Sequence, residues 1–177
     1  MGGRGRRCAL PAGDRTLTPA ANASRARYYV VIGITAAIVI GLDHLTKWLV
    51  VSHLPLHGEF GEGAIVSIDH VENKGAAFGL FPQFQWLYLI VAAVVIVYIL
   101  LVGFRYGTGT FRQVLLGMIL GGAISNGIDR LLQGQVVDFI DLHWWPVFNV
   151  ADMCIVIGII LAVLTLGPRR PATTTAA

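Results

Sequence analysis

Four apolar stretches, each close to the length needed to cross a bilayer, restrict what this chain can fold into: roughly Tyr28 to Val51, Trp86 to Phe104, Phe111 to Leu132 and Val150 to Leu166. A hydrocarbon core about 30 Å thick is spanned by about 20 predominantly apolar helical residues. Lipid offers backbone amides no hydrogen-bond partners, so segments of this kind must be helical. The expected fold is therefore an all-α integral membrane protein with four transmembrane helices. A content of 55% hydrophobic and 13% charged residues in a 177-residue chain is too apolar for an ordinary soluble domain of that size. Arginines precede the first stretch as they would in a secretory signal. No small-x-small cleavage pattern follows it and the hydrophobicity resumes at Trp48, so it reads as a retained helix.

Orientation follows from the cations, because short cytoplasmic loops carry the excess of Lys and Arg. Arg4, Arg6, Arg7, Arg15, Arg25 and Arg27 precede the first span, Arg105 and Arg112 flank the second connection, and Arg169 and Arg170 follow the last span. Both termini are thus expected in the cytoplasm. Between Ser52 and Gln85, Lys74 is the sole Lys or Arg against Glu59, Glu62, Asp69 and Glu72, and Gln133 to Asn149 has none, so these loops are expected outside. Residues 1–27 and 169–177 lack periodicity and read as disordered cytoplasmic tails around a domain of residues 28–168. In the first outer loop, Ala64 to Val71 is rich in β-branched residues and partly alternating, which indicates a small extracytoplasmic β region after the first helix. Trp144 and Trp145 in the second suit the headgroup level.

Several function classes fall away. The arginines crowd the chain ends without a basic, aromatic-interleaved patch, which argues against nucleic-acid binding. Cys8 and Cys154 give neither a disulfide framework nor metal-ligand spacing. Gly-x-Ser-x-Gly, His-Glu-x-x-His and Gly-x-Gly-Asp patterns are absent, and His53, His57, His70 and His143 read as exposed loop residues.

Ionisable groups within hydrocarbon are costly and mark functional sites by default. The first span holds Asp43, His44, Thr46 and Lys47; the third holds Asn126, Asp129 and Arg130; the fourth opens with Asn149 and Asp152. The second span has no charge and reads as a lipid-facing scaffold. Asp43 is the sixteenth residue from Tyr28 and Asn126 the sixteenth from Phe111. Both therefore stand roughly 24 Å up the core at 1.5 Å per residue, a level that Asp152 reaches from the other side. Asp43 and Lys47, at i and i+4, read first as an internal ion pair. Asp129, Asp138, Asp141 and Asp152 outnumber the cation expected to serve them, Arg130. Two carboxylates held close in a low-dielectric site share a proton: one activates water while the other protonates a leaving group, as amide hydrolysis requires. Spacing does not choose among Asp129, Asp138 and Asp141 as the partner of Asp152. A proton-coupled transporter or channel is the alternative, although the cytoplasmic halves of the spans are nearly all apolar. A non-catalytic assembly factor would use Gly117, Gly121 and Gly122 for helix packing but leaves the outer acids unexplained.

The segments Asp43-His44-Leu45-Thr46-Lys47, Asn73-Lys74-Gly75-Ala76-Ala77-Phe78, Gly121 to Arg130, Val136-Val137-Asp138-Phe139 and Phe148-Asn149-Val150-Ala151-Asp152 together resemble, in order, the signature segments of the lipoprotein signal peptidase (signal peptidase II) family. The resemblance runs from about Tyr28 to Leu166. It implies an aspartic endopeptidase of the bacterial cell membrane. The enzyme would remove the signal peptide from diacylglyceryl-modified prolipoproteins just before the lipidated cysteine, with membrane lipid around it and no metal or organic cofactor, and a monomer is expected. It also implies Asp138 and Asp152 as the catalytic pair. Asn126, Arg130, Asn149 and Asn73 would position substrate or the pair, and Asp43, Lys47 and Asp129 would support them. The chain departs from the family at His44, where Gln is usual, and at Ser125, where Gly is usual. Neither touches the pair.

Overall fold

The computed structural model describes residues 19–75, 81–105 and 109–165. In chain order the elements are helix α1 (Pro19–His53), strands β1 (Glu59–Phe60) and β2 (Ser67–Asn73), helices α2 (Gln85–Leu101) and α3 (Thr110–Gln133), strand β3 (Val136–Asp141) and helix α4 (Val150–Thr165). Each apolar stretch contains one helix. By length and composition α1 and α3 suffice to cross a membrane, whereas α2 and α4, with 17 and 16 residues, are apolar but shorter. The expectation of a disordered segment up to residue 27 is corrected, since α1 begins at Pro19. Pro is favourable at a helix start, and the Ala- and Arg-rich run behind it extends an existing helix at little cost. Residues 1–18, the tail 169–177 and Ala76 to Phe78 lie outside the described residues.

The helices bury an apolar core that holds a cluster of polar groups toward the sheet end, and they also expose apolar surface. On α1 the buried positions are Tyr28, Ile32, Ala36, Val39, Asp43, Lys47 and Val50, steps of three and four that form one stripe. That stripe lies against α3, which is buried on most sides. Outward-facing Ile34, Ile38, Leu42 and Leu45 on α1, Val94 and Val97 on α2, and Ile160 and Val163 on α4 are exposed. An apolar exterior of this extent suits hydrocarbon rather than water.

Small residues let the helix backbones approach. A Cβ at Gly121 would lie 2.8 Å from the Ala36 carbonyl oxygen on α1, and one at Gly122 would lie 2.5 Å from the Ala151 carbonyl oxygen on α4. The glycines therefore serve packing within this one chain. Gly122→Val is expected to push the start of α4 away from α3, destabilise the protein by about 1–3 kcal/mol and reduce activity at least tenfold, because Asp152 moves with that start. Gly33→Ala, where an added Cβ meets nothing within 4 Å, should leave activity unchanged and raise stability by up to about 1 kcal/mol, since Ala is the better helix former. Thermal unfolding in detergent beside an activity assay checks the pair.

The three strands form one antiparallel sheet in the order β1-β2-β3. The strand expected at Ala64 to Val71 is displaced to Ser67–Asn73, and the second outer loop contributes β3, which sequence reading left as loop. In β2–β3 pairing Val71 faces Asp138 and Asn73 faces Val136. Side chains alternate along a strand, so Asn73 and Asp138 are diagonal neighbours on one face. The far edge of β3 is closed by Phe148, whose amide donates to Ile140 O at 3.1 Å and whose carbonyl accepts from Ile140 N at 2.8 Å. That return of the chain sets Asn149 and the start of α4 beside Asp138.

Candidate active site

Asn149 caps α4. Its Oδ1 accepts the Asp152 backbone N–H at 2.9 Å, while Asp152 Oδ2 accepts the Asn149 N–H at 3.3 Å. This reciprocal pair is a capping box, which satisfies two amides that a helix start leaves free. The bond to Oδ1 also fixes which way the Asn149 amide points. Its NH2 therefore faces inward, donating to Asp138 Oδ1 at 2.7 Å and to Asn126 Oδ1 at 3.2 Å. Asn126 in turn donates from Nδ2 to Asp152 Oδ1 at 2.8 Å. On the other side of Asp138, Asn73 accepts the Gly75 N–H and donates from Nδ2 to Asp138 Oδ2 at 2.8 Å. Two amide side chains, Asn149 and Asn126, thus join Asp138, from the sheet, to Asp152, from a helix start, while Asn73 holds Asp138 alone.

Beneath this network lies Lys47, almost fully buried. Its ammonium stands 2.6 Å from Asp43 Oδ2, 2.6 Å from Asp129 Oδ2 and 3.0 Å from Asn126 Oδ1, which uses all three of its donors. Asp43, with no exposed surface, also accepts the Ser125 hydroxyl at 2.7 Å and the Ala151 N–H at 2.8 Å. It therefore places negative charge on the positive end of α4, where that charge is stabilised. The Asp43–Lys47 ion pair read from the sequence is present and extends to Asp129. Atoms of Asp43, His44 and Asp129 lie within 4.8 Å of one another, a spacing open to a cation. Lys47 already meets the charge of both carboxylates there.

Arg130 serves the acids only at longer range, through the effect of its charge on Asp152. Among the described residues it forms no ion pair. Its guanidinium donates to Gly75 O at 3.3 Å and lies 5.2 Å from the centre of the Tyr88 ring, with Nε buried and unpartnered. Standing one turn beyond Asn126, it reaches past the end of β2, and Lys47 is the cation in direct contact with Asp43 and Asp129. Asp141 is held within its own loop, accepting the His143 N–H at 2.6 Å. His70, expected at the surface, is buried, with Nδ1 2.9 Å from Leu54 O, because β2 packs against the end of α1.

Asp138 opens onto a cleft of about 640 Å³ lined also by Asn73, Lys74, Asp141, His143 and Trp144. Sequence reading gave His143 and Trp144 no place in the site. Their nearness in sequence to Asp138 was the available signal. Burial pushes the Asp138 carboxyl up to about 7 from 3.8, and the negative charge of Asp152 adds to the rise. Donation from Asn73 and Asn149 and the charge of Lys47 oppose it. Between about pH 4 and pH 7 the folded protein therefore keeps a proton that the unfolded chain has released, and stability falls as pH rises through that window. Asp138→Asn lacks this titration. Its melting temperature is expected to match the parent near pH 4 and exceed it increasingly up to about pH 7, with no further gain above. A constant difference across pH would contradict the burial effect.

A family model described as signal peptidase (SPase) II matches residues 35–167. The lipoprotein signal peptidase of Syntrophomonas wolfei is 43% identical over 132 residues, covering 73% of this chain and 88% of its own. That of Rhodococcus jostii is 39% identical over 169 residues, covering 91% of this chain and 83% of its own. Two solved bacterial membrane enzymes superpose with TM-scores of 0.72 and 0.67, at 26% and 28% identity, over 79% and 78% of this chain and 93% and 94% of theirs. The chain therefore belongs to the lipoprotein signal peptidase (signal peptidase II) family of membrane aspartic peptidases.

Proposed function

We propose that Asp138 and Asp152 are the pair with which this lipoprotein signal peptidase removes signal peptides, acting on diacylglyceryl-modified prolipoproteins and cutting just before the lipidated cysteine. One observation carries the assignment: Asn149 donates to Asp138 while its amide oxygen and backbone N–H both bind Asp152, so a single residue holds the two acids together.

Asp138, with its carboxyl raised to about 7, carries the shared proton and polarises the scissile carbonyl. Asp152 takes a proton from water, whose oxygen adds to the carbonyl carbon. Asp152 then passes the proton it took from water to the amine nitrogen, the C–N bond breaks as the carbonyl re-forms, and a hydroxyl of the intermediate returns a proton to Asp138, which restores the pair. Asn126 and Asn149 orient the acids, Asn73 holds Asp138 from the sheet side, and Arg130 fixes the end of β2 through Gly75 O. Asp43, Lys47 and Asp129 support the start of α4 from below. All these residues lie in one copy of the chain, so a monomer suffices.

The four helices are read as spanning the bacterial cell membrane with both termini in the cytoplasm. The sheet and the acid pair then lie near the outer face. The loop charges support this orientation, as do the arginines gathered at the end of the bundle opposite the sheet. A scissile bond at the outer surface would meet the pair there while the lipid chains remain in the outer leaflet.

The test uses purified protein with a prolipoprotein in two forms, one carrying diacylglycerol on its cysteine and one unmodified. Mass spectrometry is expected to find cleavage immediately before the cysteine in the lipidated form alone. Equal cleavage of both forms, or cleavage elsewhere, would sink the reading.

A further inference from the structure

Four arginines, Arg25, Arg27, Arg105 and Arg112, lie at the end of the bundle opposite the sheet, where α2 ends and α3 begins, and two of them share one aromatic ring. The Arg25 guanidinium carbon lies 4.4 Å from the centre of the Phe104 ring, and that of Arg105 lies 5.9 Å from the same centre. Arg27 donates to Thr110 Oγ1 at 2.7 Å and Arg112 to Thr165 O at 2.6 Å, both uncharged acceptors. None of the four has a carboxylate within ion-pair distance among the described residues. The helix acids Asp43, Asp129 and Asp152 are engaged at the other end.

Charge that only sets topology needs no geometry, since it acts from any position along a loop. Here one aromatic ring gathers two guanidinium groups from different elements. Each gains from the ring face, yet the two cations repel. An anion bound by both would turn that repulsion into attraction, and planar guanidinium groups match phosphate oxygens in paired hydrogen bonds. With the apolar exterior in a bilayer, this end sits at the headgroup level, where the phosphate present is that of phospholipid.

We propose that Arg25 and Arg105, organised on Phe104, form a binding site for the phosphate of an anionic phospholipid at the cytoplasmic face. The proposal rests on the orientation given under the proposed function.

The experiment places the full chain in nanodiscs of phosphatidylcholine doped with phosphatidylglycerol and counts the lipids retained by native mass spectrometry. The parent protein should retain phosphatidylglycerol in preference to phosphatidylcholine. R25Q/R105Q should lose that preference by roughly 25-fold, at about fivefold for each arginine near the surface. F104L keeps every charge and should lose roughly two- to fivefold with the cation–ring contact. Retention by F104L equal to the parent would overturn the site, since diffuse charge then accounts for binding. Displacement of the lipid by millimolar inorganic phosphate would overturn the assignment to a lipid. The two variants share no altered residue, so misfolding of one leaves the other to decide. Prolipoprotein processing in phosphatidylcholine discs should be unchanged in both variants. That readout reports the peptidase assignment separately: lipid preference lost with processing intact supports the site, and processing absent in the parent overturns the functional reading instead.

Discussion

Lys47→Met is expected to lower stability by about 3–5 kcal/mol and to remove activity with it. The ammonium lies 2.6 Å from both Asp43 and Asp129 at a level where all three groups are buried. Removing it leaves two carboxylates with no cation between them. Asp43 would keep its bonds from Ser125 and Ala151, and among the described residues Asp129 would keep only the more distant His44 ring, 3.7 Å away. A loss of that size is a large part of the roughly 5–15 kcal/mol that holds an ordinary domain together. Combining Lys47→Met with Asp129→Asn removes one of the stranded charges and should recover part of the melting temperature. Thermal unfolding of both variants in detergent measures this. A single variant as stable as the parent would mean that Lys47 is not the charge partner of the two acids.

Much of the site was legible in the sequence because membrane helices obey a ruler. Counting from Tyr28 and Phe111 set Asp43 and Asn126 at one level, and the ammonium of Lys47 indeed bridges those two residues. The alternation of threes and fours from Tyr28 to Val50 likewise carries the polar pair Asp43 and Lys47 onto the face against α3. What counting could not give depends on tertiary placement. Arg130 shares a helix face with Asn126 and stood as the obvious cation, yet one further turn takes it to Gly75 and Tyr88. Val136 to Asp141 is too short to announce itself as a strand without its partner β2, so the partner of Asp152 came from family resemblance rather than from spacing. The capping role of Asn149 was written in the sequence as Asn-Val-Ala-Asp before an apolar run, a helix-start pattern. Its consequence, an amide turned inward onto Asp138, needed coordinates.

Asp138→Asn and Asp152→Asn, made separately, are expected to reduce processing by roughly 10³-fold or more while leaving the protein folded. Asn matches Asp in size and retains an oxygen acceptor. At 152 it can still accept from Asn149 N–H or Asn126 Nδ2, and at 138 it removes a buried acid whose ionisation costs stability. What neither variant keeps is the exchange of a proton between two acids, on which the proposed mechanism rests both the attack of water and the departure of the amine. Structural damage and chemical loss therefore separate: melting temperatures should hold, and for Asp138→Asn should rise near pH 7. The decisive measurement is the single-turnover rate of signal-peptide release from a diacylglyceryl-modified prolipoprotein by each folded variant. A roughly 10³-fold or greater fall in both is predicted, and processing at the parent rate by either one would contradict the assignment of Asp138 and Asp152.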